Sequence, residues 1–136
     1  MYNKILVPID LSHAERGKAT LKIAEQLLDK GGTIVVLNVV EDVPAYVAAE
    51  LPNEMLGELA KNAHQALEEA TAGHSGIIEH EVRRGSPASA IVATAEELDV
   101  SLVIIASHRP GLADYFLGST ASHVVRHAKC PVLVDR

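Results

Sequence analysis

A Gly-Ser-Thr step near the carboxyl end of the sequence carries the residue types best suited to binding an anion. Gly118, Ser119 and Thr120 open a predicted helix, and the loop before them contains His108 and Arg109. The first turn of a helix has backbone N–H groups without a partner inside the helix, together with the positive end of the helix dipole. Two hydroxyls and two basic side chains add donors, so the segment predicts a phosphate site. Without its neighbours, Gly118-Ser119 also fits an ordinary helix cap.

Three other segments stand at the carboxyl ends of apolar runs and belong to the same candidate site. They are Pro8-Ile9-Asp10, Val39-Val40 and Ala106-Ser107. In open α/β sheets, ligands lie outside the carboxyl ends of the strands, near the point where the strand order reverses. We therefore expect these segments and the Gly-Ser-Thr step to meet at one edge of a sheet.

Five apolar runs of strand length divide the chain. They are Ile5 to Ile9, Thr33 to Val40, Ile77 to Val82, Leu102 to Ala106 and Val132 to Val134. Most are continuous rather than alternating, which is typical of strands covered on both faces. Helical segments separate them, so the sequence predicts a doubly wound α/β fold with a five-stranded parallel, Rossmann-like sheet, four helices and right-handed crossovers.

Local signals set the expected limits of the four helices. The first runs from a capping box at Ser12 and Glu15 to Gly31-Gly32, the second from Asn53 to Gly73, the third from Ser86-Pro87, and the last from Ser119 to a point before Pro131. The segment from Glu41 to Pro52 is the longest connection without predicted regular structure. Such a connection is a candidate lid or variable flank.

Composition excludes several classes of function. The chain has 136 residues, which predicts one domain over residues 1–136, and a single cysteine, so it forms no intrachain disulfide. A net charge of −6 with one Phe, three Tyr and no Trp argues against a nucleic-acid surface. The apolar run from Ile5 to Ile9 is interrupted by Pro8 and is too short for a signal-peptide core or a membrane span. We expect a cytoplasmic protein without membrane insertion.

Motifs of other nucleotide and metal sites are absent or weak. The sequence has no GxxxxGKS or GxxxxGKT loop, and Gly31-Gly32 precedes a strand instead of following one, so neither the P-loop nor the dinucleotide fingerprint is present. His123 and His127 lie four residues apart with Cys130 beyond them, which is a metal-ligand spacing. Two histidines on a solvated helix face are far more often ordinary surface residues than metal ligands, and we predict no metal ligand, a packing role for Cys130 and no catalytic residue.

Several stretches along the whole chain are similar to the universal stress protein family. They are KILVPIDLS, RRGSP, LVIIAS and VVRHAKCPVLV, and ASHRPGLADYFLGST resembles the nucleotide-binding signature of the family. That signature is GxxG, nine residues, then Gly followed by Ser or Thr. The resemblance implies the strand order 3-2-1-4-5 and binding of ATP, with Mg²⁺ or Mn²⁺ held through the phosphates.

The sequence departs from that signature at its start. Ala106 and Arg109 stand where the family has glycines, and eight residues instead of nine separate Arg109 from Gly118. Pro110 and Gly111 can rebuild the tight turn. Arg109 either occupies the phosphate site or contacts the phosphates directly, and both interpretations stay open at this point.

Carried over by matching position, the resemblance implies a set of ATP-binding residues. These are Pro8, Ile9, Asp10, Val39, Ala106, Ser107, His108, Arg109, Gly111, Gly118, Ser119, Thr120 and Ala121. Pro8, Ile9 and Asp10 would border the adenosine, and Val39 would pack on the adenine. Asp10 also fits an Asx turn leading into Ser12, and Val39 also fits the core.

The function implied by the resemblance is that of a nucleotide-responsive regulatory or stress-survival module, acting through a protein partner such as a transporter. The last strand would join two copies in a homodimer or higher even assembly. One alternative is a slow ATPase or phosphotransferase, although the sequence offers no base poised on a water molecule. The other is a ligand-free dimeric interaction module in which Arg109 fills the pocket.

Overall fold

A parallel sheet lies at the centre of the computed structural model, which describes residues 1–41, 44–74, 77–107 and 118–136. Within these ranges its strands are β1 (Tyr2–Pro8), β2 (Leu28–Val40), β3 (Ile77–Arg84), β4 (Leu102–Ala106) and β5 (Val132–Asp135). The strand order is β3-β2-β1-β4-β5, and every pairing is parallel, so the predicted class and order are confirmed. The order reverses at β1, and the chain connections therefore diverge at the carboxyl ends of β1 and β4.

The helices of the described residues cover both faces of this sheet. They are α1 (Ala14–Leu27), α2 (Ala45–Ala48), α3 (Asn53–Ala70), α4 (Pro87–Glu97) and α5 (Ser119–His127), and a 3-10 turn at Leu11–His13 precedes α1. The four longer helices correspond to the four predicted ones. The expectation of no regular structure between Glu41 and Pro52 was wrong, because α2 forms a helical turn there. Its first bonds run from Val47 N to Pro44 O and from Ala49 N to Ala45 O.

Two hydrophobic clusters explain why the strand sequences are apolar at consecutive positions. Along β1, the side chains of Ile5 and Val7 join α1 and α3 on one face of the sheet, whereas Leu6 joins α4 and α5 on the other. All three are 0% exposed. Successive side chains of a strand point to opposite faces of the sheet. A strand in a sheet that helices cover on both faces therefore has an apolar residue at every position.

The first helix ends earlier than its glycines predicted. The N–H of Leu28 closes α1 on Ala24 O, and Leu28 itself has an extended backbone. Between the pairs Tyr2–Leu28 and Lys4–Thr33, β1 advances by two residues and β2 by five, so the register is irregular. Gly31 lies there at φ +83°, and a Cβ on Gly32 would lie 2.8 Å from Asn3 O. The two glycines therefore serve the irregular start of β2 instead of stopping a helix.

Three predicted helix caps were also misplaced by one or two residues. Asp10 caps the 3-10 turn before α1 by accepting from Ser12 N, so the capping box at Ser12 is not formed. Pro52, not Asn53, occupies the N-cap position of α3, and Gly118, not Ser119, that of α5. In a capping box the Ser12 N–H would donate to the Glu15 side chain. Here it donates to the Asp10 carboxylate two residues earlier in the chain, which is a strong acceptor, so Ser12 belongs to the turn before the helix. Ser86 and Pro87 take the N-cap and first helical positions as predicted.

We expect Ile104→Asp to prevent folding. Ile104 is 0% exposed in β4, where the substitution would bury a charge without a partner. Ile104→Val is the control, because it keeps an apolar branched side chain and should lower the free energy of unfolding by only about 0.5–1.5 kcal/mol. Thermal melting followed by circular dichroism checks both variants. A soluble Asp variant that melts cooperatively would show that this strand is not the core.

Candidate functional site

A cleft of about 610 Å³ opens at the carboxyl edge of the sheet, between the ends of β1, β2 and β4 and the starts of α1, α4 and α5. This volume lies in the range of small-molecule sites. Of the residues predicted for the site, those that line the cleft are Pro8, Ile9, Asp10, Val39, Ala106, Ser107, Gly118, Ser119, Thr120 and Ala121. The remaining three, His108, Arg109 and Gly111, lie outside the described residues.

The wall of the cleft on the side of α4 and α5 is apolar. It consists of Leu37, Val39, Ile91, Ile105 and Ala121. Val39 is half-buried and packs against the cluster under α4 and α5, and it also borders the cleft. The two interpretations of Val39 are therefore compatible, because one side of its side chain packs in the core while another is available to a ring.

Ile9 is the best-anchored residue of the cleft. Its N–H donates to Leu37 O over 2.8 Å, and its carbonyl accepts from Asn38 Nδ2 over 3.0 Å. Both backbone polar groups of Ile9 are thus bound to β2, although Ile9 lies just beyond the end of β1. Asn38 is 8% exposed, and its amide has an acceptor in an environment where an unpaired amide would be unfavourable.

The side chain of Ile9 is held from the other direction by α1. A Cβ on Gly17 would lie 2.7 Å from Ile9 Cγ2, a distance that real Cβ atoms do not adopt. Gly17 therefore allows the first turn of α1 to approach β1 closely. The turn from Pro8 to Asp10 is fixed by β2 on one side and by α1 on the other.

Asp10 forms the Asx turn that its position permits. Its Oδ1 accepts from the N–H of Ser12 over 3.0 Å and also from the Ser12 hydroxyl. Asp10 itself is exposed and lines the cleft. The carboxylate is oriented by Ser12, and Oδ2 is the atom left to accept a hydrogen bond from a bound molecule.

Gly118 and Ser107 connect the start of α5 to the end of β4. The N–H of Gly118 donates to Ser107 Oγ over 3.0 Å, and the N–H of Ser107 donates to Asp135 O over 2.8 Å. Gly118 has φ −61° and ψ 155°, which any residue adopts. A glycine is therefore not required here by backbone conformation, and its effect is to leave space beside Ser107.

The first N–H groups of α5 have no acceptor inside the helix. The first helical bond runs from Ser122 N to Gly118 O, so the N–H groups of Ser119, Thr120 and Ala121 precede it. No side chain of the described residues caps this helix. These donors, at the positive end of the helix dipole, lie at the cleft and favour an anion.

Of the described residues, five polar ones that line the cleft were not among the residues predicted for the site, and Asn38 and Arg16 are two of them. Asn38 interrupts the apolar run of β2, and this interruption was the available signal. Arg16 gave no signal, because a basic residue in the first turn of an amphipathic helix is ordinary. The other three are Ser12, His13 and Glu41.

The two histidines and the cysteine at metal-ligand spacing lie on α5 and just after it. His127 Nδ1 lies 2.9 Å from His123 O, and the two rings stack with centroids 4.2 Å apart. In the described part of the chain, no three His, Cys, Asp or Glu side chains are grouped to hold a metal ion. Burial raises the pKa of the Cys130 thiol, so the unreactive protonated form is favoured at neutral pH.

Comparison with known proteins identifies the family. A model of the universal stress protein family matches residues 1–136. The chain belongs to this family. It is 34% identical to universal stress protein G of Salmonella typhimurium, with all of both chains covered.

Solved universal stress protein structures share the fold. The structure of hypothetical protein MJ0577 has a TM-score of 0.80 at 28% identity and covers 98% of this chain and 95% of its own. A universal stress protein solved in complex with cAMP has a TM-score of 0.57 at 21% identity and covers 99% of this chain and 97% of its own. At that identity the second structure is evidence of the fold alone. Across the described ranges, no helix of this universal stress protein combines the length and apolarity needed to cross a membrane.

We expect Asn38→Val to destabilise this universal stress protein by about 1–3 kcal/mol, because it leaves the buried Ile9 carbonyl without the amide donor. Thr94→Val is a matched control. Thr94 is 0% exposed, and its hydroxyl donates to Ala90 O, but that carbonyl lies within α4 and keeps its helical partner. Urea unfolding measures both variants. Equal losses of stability in the two would contradict a specific role for the Asn38 amide.

Proposed function

We propose that the chain binds ATP in the cleft and acts as a nucleotide-responsive regulatory module. The proposal is carried by one observation. The N–H groups at the start of α5, which have no acceptor inside the helix, border the same cleft as an apolar wall and the Asp10 carboxylate. An apolar wall suits a base, a carboxylate suits ribose hydroxyls or the adenine amine, and a helix start suits phosphate.

The phosphate end of the ligand fits the donors present. Ser119, Thr120 and Ala121 offer N–H groups, and the first two add hydroxyls that can donate. A hydrogen bond to a charged group contributes roughly 1.5–3 kcal/mol, so a few of them offset the unfavourable net charge of −6. Mg²⁺ or Mn²⁺ bound to the phosphates would neutralise part of the remaining charge, without requiring a protein ligand.

The hydrogen bonds of the Asp10 carboxylate fit a regulatory role for bound ATP better than they fit ATP hydrolysis. Asp10 Oδ1 already accepts from two groups of Ser12, and in this proposal Oδ2 accepts from the ribose hydroxyls or the adenine amine, so the carboxylate is not assigned to a water molecule. We propose that ATP stabilises one state of the protein, which a partner protein then recognises. A slow ATPase is the enzymatic alternative, and phosphate release by the ATP complex over several hours distinguishes the two.

The test of ATP binding is calorimetric titration of the chain and of Gly118→Val with ATP and Mg²⁺. The valine side chain fills space at the start of α5, so we expect its ATP affinity to fall at least about 100-fold, a loss of about 2.7 kcal/mol. The melting temperature without ligand should change little. The Gly118 backbone suits any residue, and a Cβ there would lie at an ordinary 3.7 Å from Ser107 Oγ.

Gly57→Val is the control for that titration, since Gly57 is exposed on α3 and a Cβ there meets nothing within 4 Å. It should keep the affinity of the unsubstituted chain. If the unsubstituted chain does not bind ATP, the ligand-free interaction module becomes the better description. If Gly118→Val binds ATP normally, the phosphates do not lie at the start of α5.

We also propose that β5 joins two copies of the chain. β5 lies at one edge of the sheet, and all four of its residues are only half-buried within one copy. The edge that faces away from β4 leaves backbone donors and acceptors for another strand. Pairing of two β5 strands across a two-fold axis would satisfy them and cover Val132 and Val134.

Light scattering at micromolar concentration tests this assembly, with an expected mass of two chains or an even multiple. Val134→Lys should reduce the mass to that of one chain, because a charge at the edge opposes strand pairing. Ile77→Lys makes the same change on β3, at the opposite edge, where Ile77 is 59% exposed. It should leave the assembly intact. A monomeric unsubstituted chain, or a dimer broken only by Ile77→Lys, would refute pairing through β5.

A further inference from the structure

The 3-10 turn before α1 and the first turn of α1 present polar side chains to the cleft. Ser12, His13 and Arg16 all line it. Residues three and four apart lie on one face of a helical segment, so these side chains face the same space. Gly17, the next residue, contacts Ile9 and allows α1 to pack closely against the end of β1. Arg16 is consequently held at the cleft by the same contact that positions the turn after β1.

Arg16 is the only lysine or arginine among the described residues that line the cleft. Within the described ranges no carboxylate lies at salt-bridge distance from it. Arg83 contrasts with it, because its guanidinium is bound by Glu81 and Glu97. The carboxylate of Asp10, close to Arg16 in sequence, is instead oriented by Ser12.

An arginine in this setting is suited to an anionic ligand. Arg16 is half-buried, so water hydrates it less fully than it hydrates a surface lysine. Its guanidinium is always charged, and its planar set of donors matches the oxygens of a phosphate. The start of α5 supplies uncharged donors to the cleft, whereas Arg16 supplies a full positive charge from α1.

We propose that Arg16 binds the phosphates of the nucleotide and makes the cleft select its ligand by phosphate charge. The inference rests on the proposed nucleotide function and extends it to specificity. A triphosphate carries several negative charges and gains most from the guanidinium. cAMP carries one, and adenosine carries none. Arg16 thus favours ATP over cAMP in a cleft whose apolar wall accepts the adenine of either.

The test is calorimetric titration of the unsubstituted chain and of Arg16→Gln with Mg²⁺ and each of ATP, cAMP and adenosine. Arg16→Gln should lower ATP affinity about 10- to 100-fold, the effect of losing one charge-assisted contact, and change adenosine affinity by less than about threefold. The loss for cAMP should lie between these. Arg16→Lys keeps the charge but not the planar donors, and it should recover part of the ATP affinity.

Lys18→Gln is the matched control. Lys18 is a cation on the same helix that pairs with Glu15 and does not line the cleft. It should leave all three affinities unchanged. ATP binding that is equal in the Arg16→Gln and unsubstituted chains would overturn the role of Arg16 and leave the proposed function standing. An equal loss for ATP and adenosine would also overturn it, because Arg16 would then shape the cleft. No binding of ATP by the unsubstituted chain would refute both proposals.

Discussion

β1 is buried on both faces and paired along both edges, and the position of the cleft depends on this arrangement. Its neighbours are β2 on one side and β4 on the other. The chain leaves β1 toward β2 and later returns to the opposite side through β4, so the strand order reverses at the junction between β1 and β4. The residues that follow β1 therefore emerge into an open crevice, and α5, which begins after β4, reaches the same place.

Several residues at this edge serve the core and the cleft together. Ile9 is 4% exposed and contacts Gly17, yet it lines the cleft together with its neighbours Pro8 and Asp10. Val39 likewise packs under α4 and α5 while facing the opening. At the end of a buried strand, a single residue can pack in the core on one side and face solvent on the other. Such a residue gives a ligand a rigid surface, because its packing in the core holds it in place.

The groups nearest to a bound anion are set by position within the cleft and not by the net charge of the molecule. The net charge is −6, and the described cleft contains the carboxylates of Asp10 and Glu41 together with Arg16 and the positive ends of helix dipoles. Helix dipoles act mainly within the first turn, and salt screens distant surface charges over about 8–10 Å. An anion at the start of α5 thus experiences these nearby groups more strongly than the carboxylates on the outer helix faces.

The sequence by itself determined the strands, the parallel α/β class and the segments that border the cleft, because each depends on local patterns. A continuous apolar run indicates a strand that is buried on both faces, and a Gly-Ser-Thr step indicates the start of a helix. The end of α1, the irregular start of β2 and the bond from Asn38 to Ile9 were decided by the tertiary structure. Asn38 and Ile9 are 29 residues apart and meet only through the register of β1 on β2. Likewise, whether Arg16 faces solvent or a cleft depends on how closely Gly17 lets α1 approach β1. A periodic pattern gives the polar face of a helix but not what lies opposite it, since that is set by packing between elements distant in sequence.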